Sequence, residues 1–293
     1  MTALVTGAGG MLGADLVTAF LEADREVTAL ARADLDVTDP AAVAEAVAGH
    51  DVVVNCAAWT AVDGAETHEA AAFAVNAVGA QHVARAARAA GARLVHVSTD
   101  YVVGDAAGAV APGAGGVERR RPLPEDVPLA PASAYGRTKA AGEWAVRAEC
   151  PDAYVVRTAW LYGAHGPCFP RTIARLAGER DALSVVDDQH GQPTWTADVA
   201  ALVLRLLAAR AEPGVYHATS AGWTTWFGFA GEVVAATGRD PDMVSATTTA
   251  EFPRPAPRPA WSVLGHDRLK AAGVAPIGPW RERWEAAAPE VLA

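Results

Sequence analysis

The segment that most restricts the fold of this chain is a short apolar run followed at once by a glycine-rich turn. Residues 3–6 are apolar or β-branched, and Gly7-Ala8-Gly9-Gly10-Met11-Leu12-Gly13 follows them. Residues 14–23 then carry apolar side chains at helical spacing. Strand, glycine turn and helix in this order predict a dinucleotide site, with pyrophosphate on the helix N-terminus. A glycine turn without a ligand is the alternative.

Each glycine of this turn has a separate expected task. Gly7 permits the tight turn, Gly10 allows pyrophosphate to approach the backbone, and Gly13 lets the helix pack closely on the strand. Met11 and Leu12 lie within this turn, so we expect them to contact the cofactor as well.

Strand-like and helix-like segments alternate through residue 160. We predict strands over residues 3–6, 26–30, 51–55, 93–97 and 153–158, and helices over 14–23, from Pro40 after an Asp39 cap, over 66–90, and from Ser133 or Ala134. The valine-rich run at 51–55 is typical of a strand covered on both faces. The pattern predicts an α/β fold with a doubly wound parallel Rossmann-type sheet.

The pattern loosens after residue 160. Helices are predicted over 169–177, 196–209, 225–237 and 278–292, a strand over 214–217, and an extended proline-rich segment over 252–259. We expect an NAD(P)-binding domain over 1–160 and a smaller C-terminal substrate-binding lobe over 161–293, with 185–217 partly returning to the first domain.

Composition limits the partners. The chain has 293 residues and a formal net charge of −10, which argues against nucleic acid because phosphate neutralisation requires a basic face. Cys56, Cys150 and Cys168 form no C-x-x-C pair, so neither a disulfide framework nor a zinc site is indicated. With no leader-like start and no long apolar span, we expect a cytoplasmic protein without a membrane partner.

The residues after the second strand bear on the cofactor. Ala31-Arg32-Ala33-Asp34 stand where the adenosine ribose is met in such folds. An arginine there accepts a 2′-phosphate, so Arg32 favours NADPH, with NADH possible. A solvated surface arginine is the alternative.

Two further segments could carry the chemistry. Ser98-Thr99-Asp100-Tyr101 follow the fourth strand, where catalytic groups of open α/β sheets lie, although these residues also favour turns. Tyr135 and Lys139 are four residues apart, on one helical face, and a phenol beside an ammonium can exchange a proton. An ordinary amphipathic helix is the alternative. The long segment 104–131 between them, with Arg119-Arg120-Arg121, suggests a lid or a partly disordered loop.

Glycine turn, strand-end hydroxyls and Tyr-x-x-x-Lys in this order resemble the extended short-chain dehydrogenase/reductases. Longer motifs resemble the dTDP-4-dehydrorhamnose reductase family. They are Ala57-Ala58-Trp59-Thr60-Ala61-Val62-Asp63-Gly64-Ala65-Glu66, Val97-Ser98-Thr99-Asp100-Tyr101-Val102, Tyr135-Gly136-Arg137-Thr138-Lys139, Arg157-Thr158-Ala159-Trp160-Leu161-Tyr162-Gly163, Asp188-Gln189-His190-Gly191-Gln192-Pro193-Thr194, Gly214-Val215-Tyr216-His217 and Ala256-Pro257-Arg258-Pro259. The resemblance covers essentially the whole chain.

The resemblance implies reduction of the C4 ketone of dTDP-4-dehydro-β-L-rhamnose by NAD(P)H. Tyr135 would donate a proton to the carbonyl oxygen. Lys139, with the positive charge of the oxidised nicotinamide, would lower the pKa of Tyr135 and would also hold the nicotinamide ribose. Thr99 would hydrogen-bond the same oxygen.

The resemblance also implies two sets of contacts. Cofactor contacts are expected from Gly7, Gly10, Met11, Leu12, Arg32, Asp36, Val37, Ala57, Ala58, Thr60, Tyr135 and Lys139. Substrate contacts are expected from Val62, Asp63, Thr99, Asp100, Tyr101, Trp160, Phe169, Gln189 and Arg258, with Arg258 on the diphosphate. Some relatives dimerise through magnesium, but Trp195-Thr196 stand where a ligand besides Asp15 is expected, so magnesium is not predicted. The chain is expected to be a monomer or homodimer.

Two alternatives stay open. A related dTDP-4-keto-6-deoxysugar reductase of antibiotic biosynthesis, including the dihydrostreptose synthase type, would use the same chemistry. A non-catalytic nucleotide-binding regulatory subunit would share only the fold. Cys168 and Trp261 replace an asparagine found in many relatives, so these positions bear on which sugar nucleotide binds.

Overall fold

The computed structural model describes residues 1–104 and 121–293. Its strands are β1 Thr2–Thr6, β2 Glu26–Leu30, β3 Val52–Asn55, β4 Arg93–Thr99, β5 Tyr154–Thr158, β6 Leu161–Tyr162, β7 Leu183–Val186, β8 His190–Gly191, β9 Thr194–Trp195, β10 Gly214–His217, β11 Thr224–Thr225 and β12 Val244–Thr247.

The helices lie between these strands. They are α1 Met11–Glu22, α2 Pro40–Val47, α3 Val62–Ala65, α4 Glu69–Phe73, α5 Ala80–Ala90, α6 Ala134–Glu149, α7 Phe169–Glu179, α8 Thr196–Ala208, α9 Trp226–Ala236, α10 Asp267–Ala271 and α11 Trp280–Val291. A π-helical segment, Ala74–Gly79, joins α4 to α5, and 3-10 turns cover Asp100–Val102 and Pro241–Met243. Within the described residues, no helix is both long and apolar enough to cross a bilayer.

A parallel sheet of six strands forms the centre, in the order β2-β1-β3-β4-β5-β10. The chain moves outward from β1 to β2 and then returns to the other side of β1 with β3. Such a reversal opens a crevice at the carboxyl ends of the strands, where ligands bind in these folds. The predicted doubly wound Rossmann-type sheet is confirmed.

Each face of the sheet is covered by helices. On one face, Leu16 and Phe20 of α1 pack with Leu202 and Leu206 of α8. On the other face, α2, α5 and α6 contribute apolar side chains, among them Val146. This double coverage explains why the valines of β3 are all fully buried.

The C-terminal helices form a further apolar cluster of their own. Tyr162, Phe229 and Trp284 are fully buried there, and α7, α9 and α11 surround them. Short two-strand pairs, β7 with β12, β8 with β11 and β6 with β9, complete this part. Because β10 hydrogen-bonds to β5 and α8 packs on α1, residues 196–217 lie with the large sheet. The domain boundary at residue 160 stays a prediction.

The predicted helix over 66–90 is wrong in its first half. It is divided into α4, the π-helical segment and α5, with a turn at residues 66–68. In the wider π-helical turn, the Asn76 side chain accepts a hydrogen bond from Trp59 N at 2.8 Å and donates to Thr138 Oγ1 at 2.9 Å. An alanine-rich sequence with helical spacing carries no sign of these tertiary bonds.

Other boundaries depend on capping. Helix α1 begins at Met11 rather than at residue 14, because Gly10 has extended backbone angles and is its N-cap. Helix α6 begins at Ala134, one of the two predicted starts, and Ser133 is its N-cap, its Oγ accepting from Gly136 N at 3.1 Å. Asp39 caps α2 through the amides of Ala41 and Ala42. The two-residue strands were missed because they are too short for a repeating pattern.

Candidate active site

A cleft of about 1070 Å³ runs along the carboxyl ends of β1, β3, β4 and β5. The glycine turn, the loop after β2, the segment after β3 and the start of α6 form its wall together with residues 158–161 and 165–167. The cleft therefore lies at the crevice that the strand order opens.

The glycine turn is shaped by close backbone contacts. Gly7 has a φ of +66°, and a Cβ there would lie 2.7 Å from Ala57 N. A Cβ on Gly13 would lie 2.3 Å from Gly7 O, so only glycine lets α1 approach the turn so closely. Gly10 is the N-cap of α1, which has no side-chain cap, so the backbone amides of its first turn face the cleft. This cradle fits a pyrophosphate.

The structure brings the predicted cofactor residues together in this one cleft. Lining it are Gly7, Gly10, Met11, Leu12, Arg32, Asp36, Val37, Ala57, Ala58, Thr60, Tyr135 and Lys139. Arg32 is exposed at the cleft, where its guanidinium can reach a bound anion. Asp36 accepts from the backbone and hydroxyl of Thr38, so its carboxylate shapes the loop after β2.

Thr99, Tyr135 and Lys139 also lie together on the cleft wall. Thr99 ends β4, and its hydroxyl lies close enough to the Tyr135 phenol to oppose the rise in the pKa of that phenol. Lys139, one helical turn beyond Tyr135, donates from Nζ to Val97 O at 2.7 Å. The Tyr101 ring packs against the Tyr135 ring with its edge, 5.5 Å between centroids. Three groups able to donate a proton thus lie on the wall of the same cleft.

The pKa of the Tyr135 phenol differs from the expectation that Lys139 lowers it. Burial raises the pKa of the Tyr135 phenol above its ordinary value; the Thr99 hydrogen bond opposes this, and the Asp100 charge adds to it. Lys139 was expected to lower this pKa, but its ammonium is buried and directed at Val97 O. Burial lowers the pKa of Lys139 itself to about 8, although the nearby Glu143 charge opposes this.

The Asp100 carboxyl is buried next to the Thr99 hydroxyl. Thr99 Oγ1 donates to Asp100 Oδ1 at 3.0 Å, and the carboxyl is 1% exposed. Burial raises the pKa of Asp100 to about 6, against hydrogen bonds from Ser262 and Thr99.

Trp160 is held in an unusual backbone conformation. Its φ is +46°, and its ring stacks on Trp226 at 3.6 Å between centroids. Phe169 packs on the other side of this pair, 4.5 Å from the Trp226 centroid. A Cβ on Gly191 would lie 2.4 Å from Trp160 Cε2, so the ring occupies the space above that glycine. Trp226 and Gly191 were not predicted as site residues, and no local pattern links them to Trp160.

Four predicted substrate residues do not line the cleft itself: Asp63, Phe169, Gln189 and Arg258. Gln189 donates to Thr249 Oγ1 at 2.9 Å. The others of that set, including Val62, Tyr101 and Trp160, line the cleft.

Asp63 joins α3 to the proline-rich segment. It accepts from Arg258 Nη1 at 2.9 Å, from Ala256 N at 3.2 Å and from the Arg254 guanidinium. Burial raises the pKa of Asp63, but these hydrogen bonds outweigh burial and hold the pKa at about 2. The contact of Arg258 in this structure is therefore an internal carboxylate. Arg254 was not predicted, because a lone arginine between prolines gives no sign of its partner.

The segment predicted as a lid over 104–131 falls partly outside the described residues, as do Arg119 and Arg120. From Arg121 onward the chain packs on residues 261–265, with Arg121 O accepting from Trp261 Nε1 at 3.1 Å and Leu123 N donating to Val263 O at 2.7 Å. Across the described ranges, no three His, Cys, Asp or Glu side chains come close enough to hold a metal ion. Asp15 lies near His165, with 3.4 Å from Oδ1 to Nε2.

Comparison with known proteins agrees with this geometry. The family model described as the RmlD substrate binding domain matches residues 1–292. A dTDP-4-dehydrorhamnose reductase of Streptomyces griseus is 52% identical over 285 residues, covering 95% of this chain and 90% of that protein. A Streptomyces antibioticus protein named "Probable dTDP-4,6-dihydroxy-2-methyloxan-3-one 4-ketoreductase" is 49% identical over 297 residues, covering 99% and 95%.

A solved structure gives the same result. The dTDP-4-dehydrorhamnose reductase of Bacillus anthracis in complex with NADP superposes with a TM-score of 0.90 at 32% identity, covering 99% of both chains. Sequence and fold thus agree along the whole length, and the chain belongs to the dTDP-4-dehydrorhamnose reductase family.

Proposed function

We propose that this protein reduces the C4 ketone of dTDP-4-dehydro-L-rhamnose to dTDP-L-rhamnose with NADPH. The observation that carries the proposal is the grouping of Thr99, Tyr135 and Lys139 on the wall of the same cleft as the glycine turn. A nucleotide and a ketosugar can therefore lie side by side. Membership of the reductase family supports this assignment.

The residues of the cleft fit the cofactor. The amides of the first turn of α1 would donate hydrogen bonds to the pyrophosphate, and Arg32 would donate to the 2′-phosphate that distinguishes NADPH from NADH. Ala57 and Ala58 keep the end of β3 flat, so that the cofactor can lie against the backbone. Bound NADPH supplies the hydride for C4 of the sugar.

The chain's own groups handle the proton. Tyr135 donates its phenolic proton to the ketone oxygen as negative charge develops there. Thr99 donates a second hydrogen bond to that oxygen after turning its hydroxyl from Asp100. Lys139, an ammonium below about pH 8, would hold the nicotinamide ribose, and only together with the positive charge of the oxidised nicotinamide would it stabilise the phenolate that remains.

The sugar nucleotide is placed by the other side of the cleft. Trp160, Val62 and Tyr101 form the wall against which the sugar ring lies. Arg258 binds the diphosphate, and its ion pair with Asp63 is broken when it does so. Cytoplasmic location and a monomer or homodimer are part of the proposal; the three cysteines are free thiols, which suits a reducing compartment.

The second candidate is a 4-ketoreductase that acts on a related dTDP-sugar. The 49% identity to the Streptomyces antibioticus protein favours it, since both candidates use the same chemistry on different sugars. Trp261 and Cys168, both buried, lie in the part of the fold that would meet the substrate.

Product identification distinguishes the candidates. The protein is incubated with NADPH and dTDP-4-dehydro-6-deoxyglucose, with and without a 3,5-epimerase, and the sugar is identified by NMR. dTDP-L-rhamnose formed only with the epimerase is the expected result. A different reduced sugar supports the second candidate, and NADPH binding with no product supports a non-catalytic nucleotide-binding subunit.

A further inference from the structure

The helix that carries Tyr135 and Lys139 also carries a buried carboxylate that the mechanism above does not use. Glu143 lies one turn beyond Lys139 and is 1% exposed. Its Oε1 accepts from Ser98 Oγ at 2.6 Å and from Arg157 Nε at 2.9 Å, and its Oε2 accepts from Arg157 Nη2 at 2.9 Å. The carboxylate thus ties α6 to two strands of the sheet.

Arg157 is fixed in turn from outside α6. It is 2% exposed on β5, and its Nη1 donates to Glu125 O at 3.2 Å and lies 3.5 Å from His217 Nε2. His217 Nδ1 contacts Gly265 O at 2.9 Å. Burying an ion pair costs desolvation energy that apolar residues of the same volume would avoid. Stability alone therefore gives no reason to place this pair here.

The position of the Glu143–Arg157 ion pair gives a reason other than stability. Ser98 immediately precedes Thr99, and Val97, which accepts from Lys139, immediately precedes Ser98. Helix α6 is therefore bound to β4 at two successive residues just before the Thr99 hydroxyl. These two bonds set how far the catalytic face of α6 lies from the end of β4.

The charge of Glu143 also faces Lys139. The other titratable groups around this ammonium are Cys56 after β3, His96 on β4 and Tyr135 on its own helix. Burial raises the pKa of Cys56 to about 12 and lowers that of His96 well below 6.5, so both are neutral at pH 7. Glu143 is then the anion in this group.

We infer that Glu143 is a positioning residue for the reduction: it holds Ser98 and Thr99 against α6 and places its negative charge one helical turn from Lys139. The inference rests on the proposed reductase function. Ser98 transmits the first effect through a hydrogen bond, and Glu143 exerts the second directly through its charge.

Two variants separate these effects. Ser98→Ala removes the tie and keeps the charge, so kcat should fall about tenfold while KM and the alkaline limb of kcat/KM stay in place. Glu143→Gln removes the charge as well, so the alkaline limb should also move about one pH unit lower. Glu149→Gln, on the same helix but paired with Arg85 at the surface, is the control and should change neither quantity.

Loss of Glu143 leaves the buried Arg157 cation without its carboxylate, which destabilises the fold. The double variant Glu143→Gln with Arg157→Gln keeps the local charge sum, and thermal unfolding shows which variant is folded. Because Lys139 senses Glu143 rather than Arg157, the double variant should show the same acid shift.

The outcomes are distinct. An alkaline limb that stays in place in either folded Glu143 variant, or full kcat in Ser98→Ala, overturns the inference. Wild-type protein that binds NADPH but reduces no dTDP-4-ketosugar overturns the proposed function, and this inference with it. If the wild type reduces the ketosugar but kcat and the alkaline limb are unchanged in the variants, only the role of Glu143 is wrong and the proposed function stands.

Discussion

The indole ring of Trp160 lies flat on that of Trp226, with centroids 3.6 Å apart and planes 7° apart. Trp160 follows β5 of the large sheet, and Trp226 is the first residue of α9. One stacked pair therefore joins the cleft wall to the C-terminal helices. Because Trp160 also has a positive φ, its ring is held in place by this packing rather than by local preference.

Gly191 should be sensitive to any side chain. A Cβ there would lie 2.4–2.6 Å from atoms of the Trp160 indole, so Gly191→Ala must displace this ring of the cleft wall. We expect KM for the ketosugar to rise about tenfold, with the Kd for NADPH unchanged. Gly178→Ala on α7, where a Cβ meets open space, is the matched control. Equal KM values for the two variants would mean that Trp160 does not contact substrate.

The alkaline limb of activity should report Lys139. Its pKa is lowered to about 8, so the ammonium is present below that pH and is lost as the pH rises through it. Since kcat/KM reports ionisations of the free enzyme, it should fall with a midpoint near pH 8. Lys139→Arg, which stays charged, should lose this limb. If kcat/KM of the wild type stayed constant up to about one pH unit above this midpoint, the alkaline limb could not be assigned to Lys139.

Arg32 should determine the choice between the two nicotinamide cofactors. Arg32→Asp removes the cation that faces the cleft and adds a carboxylate that suits a 2′-hydroxyl. We expect the ratio of kcat/KM for NADPH over NADH to fall by at least about tenfold. Arg25→Asp makes the same charge change at an exposed residue outside the cleft lining and should leave the ratio unchanged. An unchanged ratio in both variants would make Arg32 a surface residue.

The two arginines that share Asp63 should differ in importance. The Arg258 side chain is 16% exposed and that of Arg254 is 48% exposed, so Arg258 is the better-ordered donor. Arg258→Ala should weaken dTDP binding about tenfold or more, and Arg254→Ala by less than about threefold. Calorimetric titration with dTDP measures both. If Arg254→Ala weakened dTDP binding more than Arg258→Ala did, Arg254 would be the residue that binds the diphosphate.

Much of the fold could be predicted because its signals are local. The glycine turn, the valine-rich β3 and the Asp39 cap each show in a few adjacent residues, and the first two determine the centre of the sheet. The position of Gly7, Arg32 and Ala57 at the cleft could be predicted for the same reason, since these residues stand just after strand ends. The two-residue strands β6, β8, β9 and β11 were missed because such short pairings leave no period to detect.

The remainder of the site depends on long-range contacts. Asp63 meets Arg254 across 191 residues of sequence, and Trp160 meets Trp226 across 66. The raised pKa of Tyr135 has the same origin, because it comes from burial under elements distant in sequence. Spacing shows that Tyr135 and Lys139 share a helical face, but it does not show that the ammonium is directed at Val97 O.

The most direct test of the account is the turnover of Tyr135→Phe on dTDP-4-dehydro-L-rhamnose, followed by NADPH oxidation. Only the phenolic hydroxyl is removed, so the proton donor is lost while the ring and its packing on Tyr101 remain. The account predicts a fall in kcat of at least about a hundredfold, with the Kd for NADPH within about twofold of wild type. Near-normal turnover in this variant would contradict the role of Tyr135 as the proton donor.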